Sequence, residues 1–511
     1  MLTHVTRSSH VPHRRDRRPH AIVIGSGFGG LAAGIRLGAR GWRVTLLERL
    51  DRLGGRASVL ERDGFTFDRG PTIVTAPFLL EELWRLAGRR MADDVDLRAL
   101  SPFYRIRFDD GDEIACGADA ERMRLEVMRV SPEDLPGYER FMEKAADICR
   151  VGFEQLGDQP FGSIADMARI VPDMIRLSGY RSVHGLVSRY VRHPKLRTML
   201  SFHPLLIGGN PFSAPAIYCL IPALERRWGV HYPVGGVGRL VEGMAGLVRE
   251  TGGTIRTGAE VARIETEGRR ATGVRLSTGE RLEADIVISN ADAVWTQRKL
   301  LDPAAIGTAD KARLARGRYS MGLFVWYFGV RGRYDAVGHH TILLGPRYRE
   351  LLSDIFDRKR LADDFSLYLH RPSATDPGVS PQGCDAFYAL CPVPNLDGDI
   401  DWEREGERRR AAIQKRLEET VLPGLGQRIV TSHFVTPTDF RDDYLSERGA
   451  GFGLEPILTQ SAWFRPHNRS GSVDGLYLVG AGTHPGAGLP GVLSSARILD
   501  KVVPHASQFA R

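Results

Sequence analysis

Ala21-Ile22-Val23-Ile24-Gly25-Ser26-Gly27-Phe28-Gly29-Gly30, near the start of a 511-residue chain, is the stretch that decides the fold. Four apolar residues run into a GxGxxG turn, and residues 31–39 follow with apolar positions at helical spacing. Residues 42–47 form a second apolar run that ends on Glu48. Continuous apolar runs of this length mark parallel strands buried on both faces, so the segment predicts the opening of a βαβ unit. Each glycine has a physical task. Gly25 permits a tight turn, Gly27 lets a pyrophosphate approach the backbone, and Gly30 lets helix and strand pack closely. Phe28 and Gly29 complete the turn, and the helix N-terminus beyond it offers free N–H groups and a positive dipole end to phosphates. A carboxylate where Glu48 stands, closing the second strand, accepts hydrogen bonds from ribose hydroxyls. The reading is a dinucleotide site on an α/β fold.

Working outward, Leu53-Gly54-Gly55-Arg56-Ala57 places two glycines and an arginine near the expected phosphates. After Thr72 the pattern changes to longer helical stretches, at 77–88, 121–130 and 132–150. Strand and glycine patterning returns at Gly235, with a helix to about 249, strand material at 253–265 and a hairpin at 272–282. A buried strand at 284–289 then leads into Asn290-Ala291-Asp292. A third such piece comes late, where 475–479 feeds a segment containing Gly480, Gly482 and Gly491 before a final helix. Residues 21–76, 235–300 and 471–505 are therefore expected to form one discontinuous nucleotide-binding domain. Residues 77–234 and 301–470 are expected to form a second, substrate-binding domain.

Composition narrows the class. At 42% hydrophobic and 26% charged residues the chain is globular, neither disordered nor fibrous. The net charge of +8 suggests nucleic acid until it is located, since much of it lies in a basic arm over residues 1–20, expected to be disordered. No nucleic-acid partner follows from it. The five cysteines are scattered, without a CxxC pair or zinc-ligand spacing, so no metal is expected. The most apolar stretch, 205–224, is broken by two glycines, an asparagine and three prolines, which argues against a membrane span.

Two resemblances carry the reading further. Leu53–Ala57 and the glycine-rich 480–491 segment resemble the FAD contacts of glutathione-reductase-2 type flavoproteins, which implies FAD held by Gly54, Gly55, Arg56, Gly480, Gly482 and Gly491. Phe67-Asp68-Arg69-Gly70-Pro71-Thr72, Ser201-Phe202-His203-Pro204, Gly208-Gly209-Asn210-Pro211 and Thr459-Gln460-Ser461-Ala462-Trp463-Phe464-Arg465-Pro466 are similar to bacterial CrtI-type phytoene desaturases. So is Gly482-Thr483-His484-Pro485-Gly486, and the similarity runs from about Ala21 to Val503. It implies a Rossmann-like FAD domain joined to α+β insertions, and successive dehydrogenation of a C40 polyene to neurosporene or lycopene. Reduced flavin would return its electrons to oxygen or a membrane quinone. Sibling carotenoid desaturases or isomerases, and protoporphyrinogen- or amine-oxidase-like enzymes, are the rival enzymatic readings. A non-catalytic binder of prenylated partners is the rival from another class.

Candidate catalytic residues are few. The resemblance points to Asp166, for which a solvated helix-face carboxylate is the plain alternative. His484 lies in the flavin-closing segment and serves either catalysis or structure. His203 reads as a core histidine, and Glu455 and Arg465 as structural. A lipid-borne substrate implies contact with an anionic membrane surface, on the cytoplasmic face of a bacterial inner membrane. Between Arg169 and Arg197 seven basic residues face a single acid, Asp173, with apolar residues interleaved. That pattern suits either an interfacial helix pair or helices with one core face and one solvated face. Phe324-Val325-Trp326-Tyr327-Phe328 suits either a tunnel lining or a buried strand.

Overall fold

The computed structural model describes residues 18–509. Its first sheet is the one the glycine turn predicts. Strand β1 (His20–Ile24), helix α1 (Phe28–Ala39) and strand β2 (Arg43–Leu47) follow in order. β1 pairs in parallel with β2 on one side and with Ile286–Ser289 on the other. Thr254–Arg256 and Leu476–Leu478 extend the two edges, also in parallel. Strands from three distant parts of the chain thus share one five-stranded sheet. α1 packs against helices Val237–Glu250 and Leu489–Val502, which bury their apolar stripes against it.

Several boundaries move. The basic arm expected over 1–20 falls, up to residue 17, outside the described residues. Its last member, His20, belongs to β1: it is buried, and its ring nitrogens lie 2.7 Å from the Glu283 carbonyl and 2.9 Å from Thr45 Oγ1. α1 starts at Phe28, inside the glycine motif, because only Gly25 there has a positive φ (+91°) while the later glycines take helical or extended angles. The 253–265 strand material divides in two. Thr254–Arg256 joins the parallel sheet, whereas Val261–Glu267 pairs antiparallel with Arg270–Leu276 in a separate three-stranded layer.

The second large sheet has seven strands, in the order Ile429–Val435, Gly322–Arg331, Cys384–Val393, Leu367–His370, His340–Leu343, Tyr104–Arg107 and Glu113–Cys116. All neighbours are antiparallel except His340–Leu343 with Tyr104–Arg107. The aromatic stretch is a central strand here, and strand alternation sorts its residues. Phe324, Trp326 and Phe328 pack into a core with Phe387 and Trp402. Met321, Leu323 and Val325 face the opposite way, into a cavity. The tunnel is therefore lined by the aliphatic neighbours of the aromatics, not by those three rings.

The stretch from Arg169 to Arg197 is no helix pair. Val183–Val187 and Pro194–Ser201 are short helices whose Val183, Leu186, Val187 and Leu196 are core residues. Helix Ile164–Arg176 alone stays at the surface, with Val171 and Ile175 at 44% and 64% exposed. Among the described residues no helix is long and apolar enough to cross a membrane.

Candidate functional site

One cavity of about 630 Å³ runs from the glycine turn deep into the region beside the seven-stranded sheet. Its glycine end is built by close backbone approach. A Cβ on Gly30 would stand 1.9 Å from the Gly25 carbonyl oxygen, so only glycine permits this strand-to-helix turn. A Cβ on Gly29 would meet Asn290 Oδ1 at 2.4 Å and Gly480 at 3.0 Å. The last glycine segment therefore lies directly against the first, although some 450 residues separate them. Ser495 Oγ accepts the Gly480 N–H at 2.8 Å and ties this segment to the final helix. Gly54 and Gly55, both at positive φ, form the adjacent wall with Gly27. Gly482 packs against Ala293, and Gly491, two residues into the final helix, against the Gly486 carbonyl.

Glu48 is buried at the tip of β2 and also lines the cavity. Its Oε2 accepts the N–H and hydroxyl of Ser26 at 2.9 and 2.5 Å, and its Oε1 accepts the Leu50 N–H at 2.9 Å. It thus shapes the glycine turn as well as offering lone pairs to the cavity. Arg56 is half-buried beside Asp292, donates to Ser446 Oγ at 2.7 Å, and has its pKa pushed down by desolvation against the pull of Asp292. Burial raises the Asp292 pKa, opposed by Arg56 and by the backbone N–H groups of Trp295 and Val294 that Asp292 caps. Asn290 and Asp292 were legible only as a strand end. Their convergence on the glycines is tertiary, carried by the parallel pairing of β1 with Ile286–Ser289. Small backbone-forming residues, exposed N–H groups at the α1 end and a buried carboxylate past β2 are the donor set of a dinucleotide cradle, and they fit a flavin dinucleotide.

The other arm is apolar. Leu156, Met174, Leu206, Ile221, Leu323 and Leu344 are among its walls, and Thr72, Tyr368 and Tyr388 stand in it as a hydroxyl cluster. Thr72 Oγ1 lies 2.7 Å from the Tyr368 hydroxyl and 3.3 Å from that of Tyr388. Glu225, also buried, faces the same arm and is hydrogen-bonded by Tyr104 Oη, with His203 Nε2 at 3.4 Å. Glu225 was hidden in the sequence because the arginines after it make the triplet look like a solvated charge cluster.

The structure brings His484 into the cavity but leaves Asp166 out of its walls. His484 is buried edge-on to Phe161, with ring centroids 4.9 Å apart. Desolvation, reinforced by Arg465, pushes its pKa down to about 3, so the ring is neutral. Asp166 closes a capping box on helix Ile164–Arg176, accepting the Ser163 N–H and hydroxyl at 2.9 and 2.8 Å and pairing with Arg169 at 2.9 Å. Those hydrogen bonds, with Arg169, push its pKa down. Met167, Ile170, Asp173 and Met174 of the same helix do reach the cavity. Arg465 is buried and donates to the Ala481 carbonyl at 2.8 Å, tying 459–466 to the second glycine segment. Glu455 pairs with Arg318 at 3.2 Å.

Comparison with known proteins agrees with this geometry. Residues 28–498 match the family described as flavin containing amine oxidoreductase. A neurosporene-forming phytoene desaturase of Rhodobacter capsulatus is 47% identical, covering 95% of this chain and 94% of that protein. A lycopene-forming phytoene desaturase of Pseudescherichia vulneris is 48% identical over 93% of this chain and 97% of its own length. In fold, a putrescine oxidase bound to putrescine superposes with a TM-score of 0.66 at 13% identity, covering 95% of this chain and 99% of that one. The cofactor of the site is FAD. The chain belongs to the flavin-containing amine oxidoreductases, among the bacterial phytoene desaturases.

Proposed function

We propose that the protein dehydrogenates phytoene in successive steps, giving neurosporene or lycopene. The observation that carries this reading is the single cavity that joins a dinucleotide cradle to a long apolar arm. Gly25–Gly30, Glu48, Gly54 and Gly55 would hold FAD, which when bound would supply the hydride acceptor for an allylic C–H. The residues of the chain do the rest. Glu48 orients the glycine turn, the Gly480 segment closes over it, and the aliphatic walls hold an uncharged chain and exclude water. A cation developing on a polyene is delocalised over its double bonds, which lessens the need for a strong base. Among the polar groups facing the arm, the Glu225 carboxyl is the candidate to receive the proton lost, while burial keeps the Tyr368 and Tyr388 hydroxyls beside Thr72 protonated. His484 serves as a neutral wall, and Asp166 acts on the surface helix rather than on substrate.

The division into a flavin domain (21–76, 235–300 and 471–505) and a substrate domain (77–234 and 301–470) is supported by the separate parallel and antiparallel sheets. Substrate arrives from lipid, at the cytoplasmic face of the membrane. Helix Ile164–Arg176 supports this, since Met167, Ile170 and Met174 face the cavity while Val171 and Ile175 are exposed, on a helix that packs against the Ala462–Phe464 turn. Oxygen or a membrane quinone takes the electrons. The test is a substrate panel of phytoene, diapophytoene and a hydroxylated carotenoid in liposomes, with products separated by HPLC. Conversion of phytoene to neurosporene or lycopene is expected; unchanged phytoene beside consumed diapophytoene would move the assignment to a sibling enzyme.

A further inference from the structure

His339, His340 and His370 converge in the interior, with one ring nitrogen from each within 4.8 Å of the others. Their meeting follows from strand register. His340 opposes His370 directly across the antiparallel pair His340–Leu343 and Leu367–His370, and His339 immediately precedes the first strand. We propose that these three histidines bind a borderline divalent transition cation, zinc in the first instance.

Three features of the geometry carry the proposal. The Nε2 atoms of His339 and His370 face each other at 3.1 Å, close to the ~3.3 Å that two imidazoles keep on a tetrahedral ion with Zn–N bonds of ~2.0–2.1 Å. The Nε2 of His340 is buried without a hydrogen-bond partner, in a residue only 1% exposed. The rings are also held from behind. His339 Nδ1 lies 2.7 Å from Thr375 Oγ1, and His340 Nδ1 lies 2.6 Å from the Tyr368 hydroxyl. Outer hydrogen bonds of this kind set the tautomer and aim the opposite nitrogen, as they do for metal-binding histidines.

An all-imidazole donor set suits zinc, copper, nickel or cobalt, and not calcium or magnesium, which demand oxygen. Three protein nitrogens leave a fourth position for a small ligand such as water. The cation pins the strand pair that carries Tyr368, whose hydroxyl stands in the cavity wall. It is loaded as the chain folds, since the trio is fully enclosed.

The experiment uses full-length, untagged holoenzyme in which His4, His10 and His13 of the N-terminal arm are replaced by alanine, which removes the histidines of the arm as competing metal ligands. Protein made in zinc-supplemented medium is dialysed and its metal content measured by plasma mass spectrometry. About one zinc per chain is expected, lost in His340→Gln. Cobalt supplied in place of zinc should give ligand-field absorption on the long-wavelength side of the flavin bands. Where His340→Gln fails to fold, Thr375→Val is read instead; loss of its hydrogen bond should weaken metal affinity ~10–100-fold. Parent protein with far less than one ion per chain and no cobalt bands overturns the proposal. So does a metal content unchanged in His340→Gln, or in Thr375→Val under chelator competition.

Discussion

Gly30→Ala and Gly34→Ala, one turn apart on α1, should behave in opposite ways. Either change adds one methyl and removes the entropic cost of a helical glycine, a gain of ~0.8–1.0 kcal/mol. At Gly34 the new Cβ meets Val248 Cγ2 at 3.3 Å, which a flexible side chain relieves by moving a few tenths of an ångström. At Gly30 it falls 1.9 Å from the Gly25 carbonyl oxygen, more than 1 Å inside any tolerated contact, and backbone must yield. Overpacking of that kind costs ~1–3 kcal/mol or more, and the yielding atoms are those of the turn that cradles the pyrophosphate. Gly34→Ala is therefore expected to be neutral or slightly stabilising, with parental FAD affinity. Gly30→Ala should lose ~1–2 kcal/mol net and bind FAD ~10–100-fold more weakly. The assay is titration of FAD into deflavinated protein by flavin fluorescence, with thermal unfolding of both variants. Gly30→Ala binding FAD within about twofold of the parent would refute the cradle geometry.

Two pH predictions follow from buried groups. Because His484 is already neutral above about pH 3, the kcat/KM profile should show no limb from it across about pH 5–8, and His484→Gln should leave the profile's shape intact. Disappearance of an ionisation near neutrality in that variant would contradict this. Asp68 accepts the Val237 N–H at 2.7 Å at the start of helix Val237–Glu250. Desolvation, with Asp376 adding to it, raises its pKa to about 7 despite the backbone hydrogen bonds of Val237 and Gly238. The folded state then holds a proton that the unfolded chain releases near pH 4. Stability is greatest below that point and falls as pH rises to about 7, by at most about 4 kcal/mol. Asp68→Asn should flatten this slope in denaturant titrations and be the more stable protein at pH 8; parallel profiles for both would rule out Asp68 as the source.

The cradle was legible because glycine, a terminal carboxylate and apolar runs are local signals. Gly25–Gly30, Glu48 and Gly54–Gly55 all lie along one strand–helix–strand unit and the turn that follows it. Gly480 and Gly482 needed the resemblance, since their place against Gly29 depends on a parallel pairing that no local pattern encodes. Asn290, Glu225 and the histidine trio were missed for the same reason. Each acquires its setting from residues far away in the chain: Asn290 from the first glycine turn, Glu225 from Tyr104, and His340 from His370 across a strand pair. Two readings left open between alternatives were decided by orientation. Phe324, Trp326 and Phe328 alternate away from the cavity, as a buried strand requires, and the helices after Leu177 bury their apolar faces in the core.

The central claim is that flavin and polyene share one cavity and exchange a hydride there. Anaerobic mixing of the oxidised holoenzyme with phytoene-loaded liposomes, without added acceptor, tests it most directly. The account predicts bleaching of the oxidised flavin band, with one new double bond formed per flavin reduced. Product formed while the flavin stays oxidised, as a redox-neutral isomerase would give, or an unbleached flavin beside intact phytoene, would contradict it.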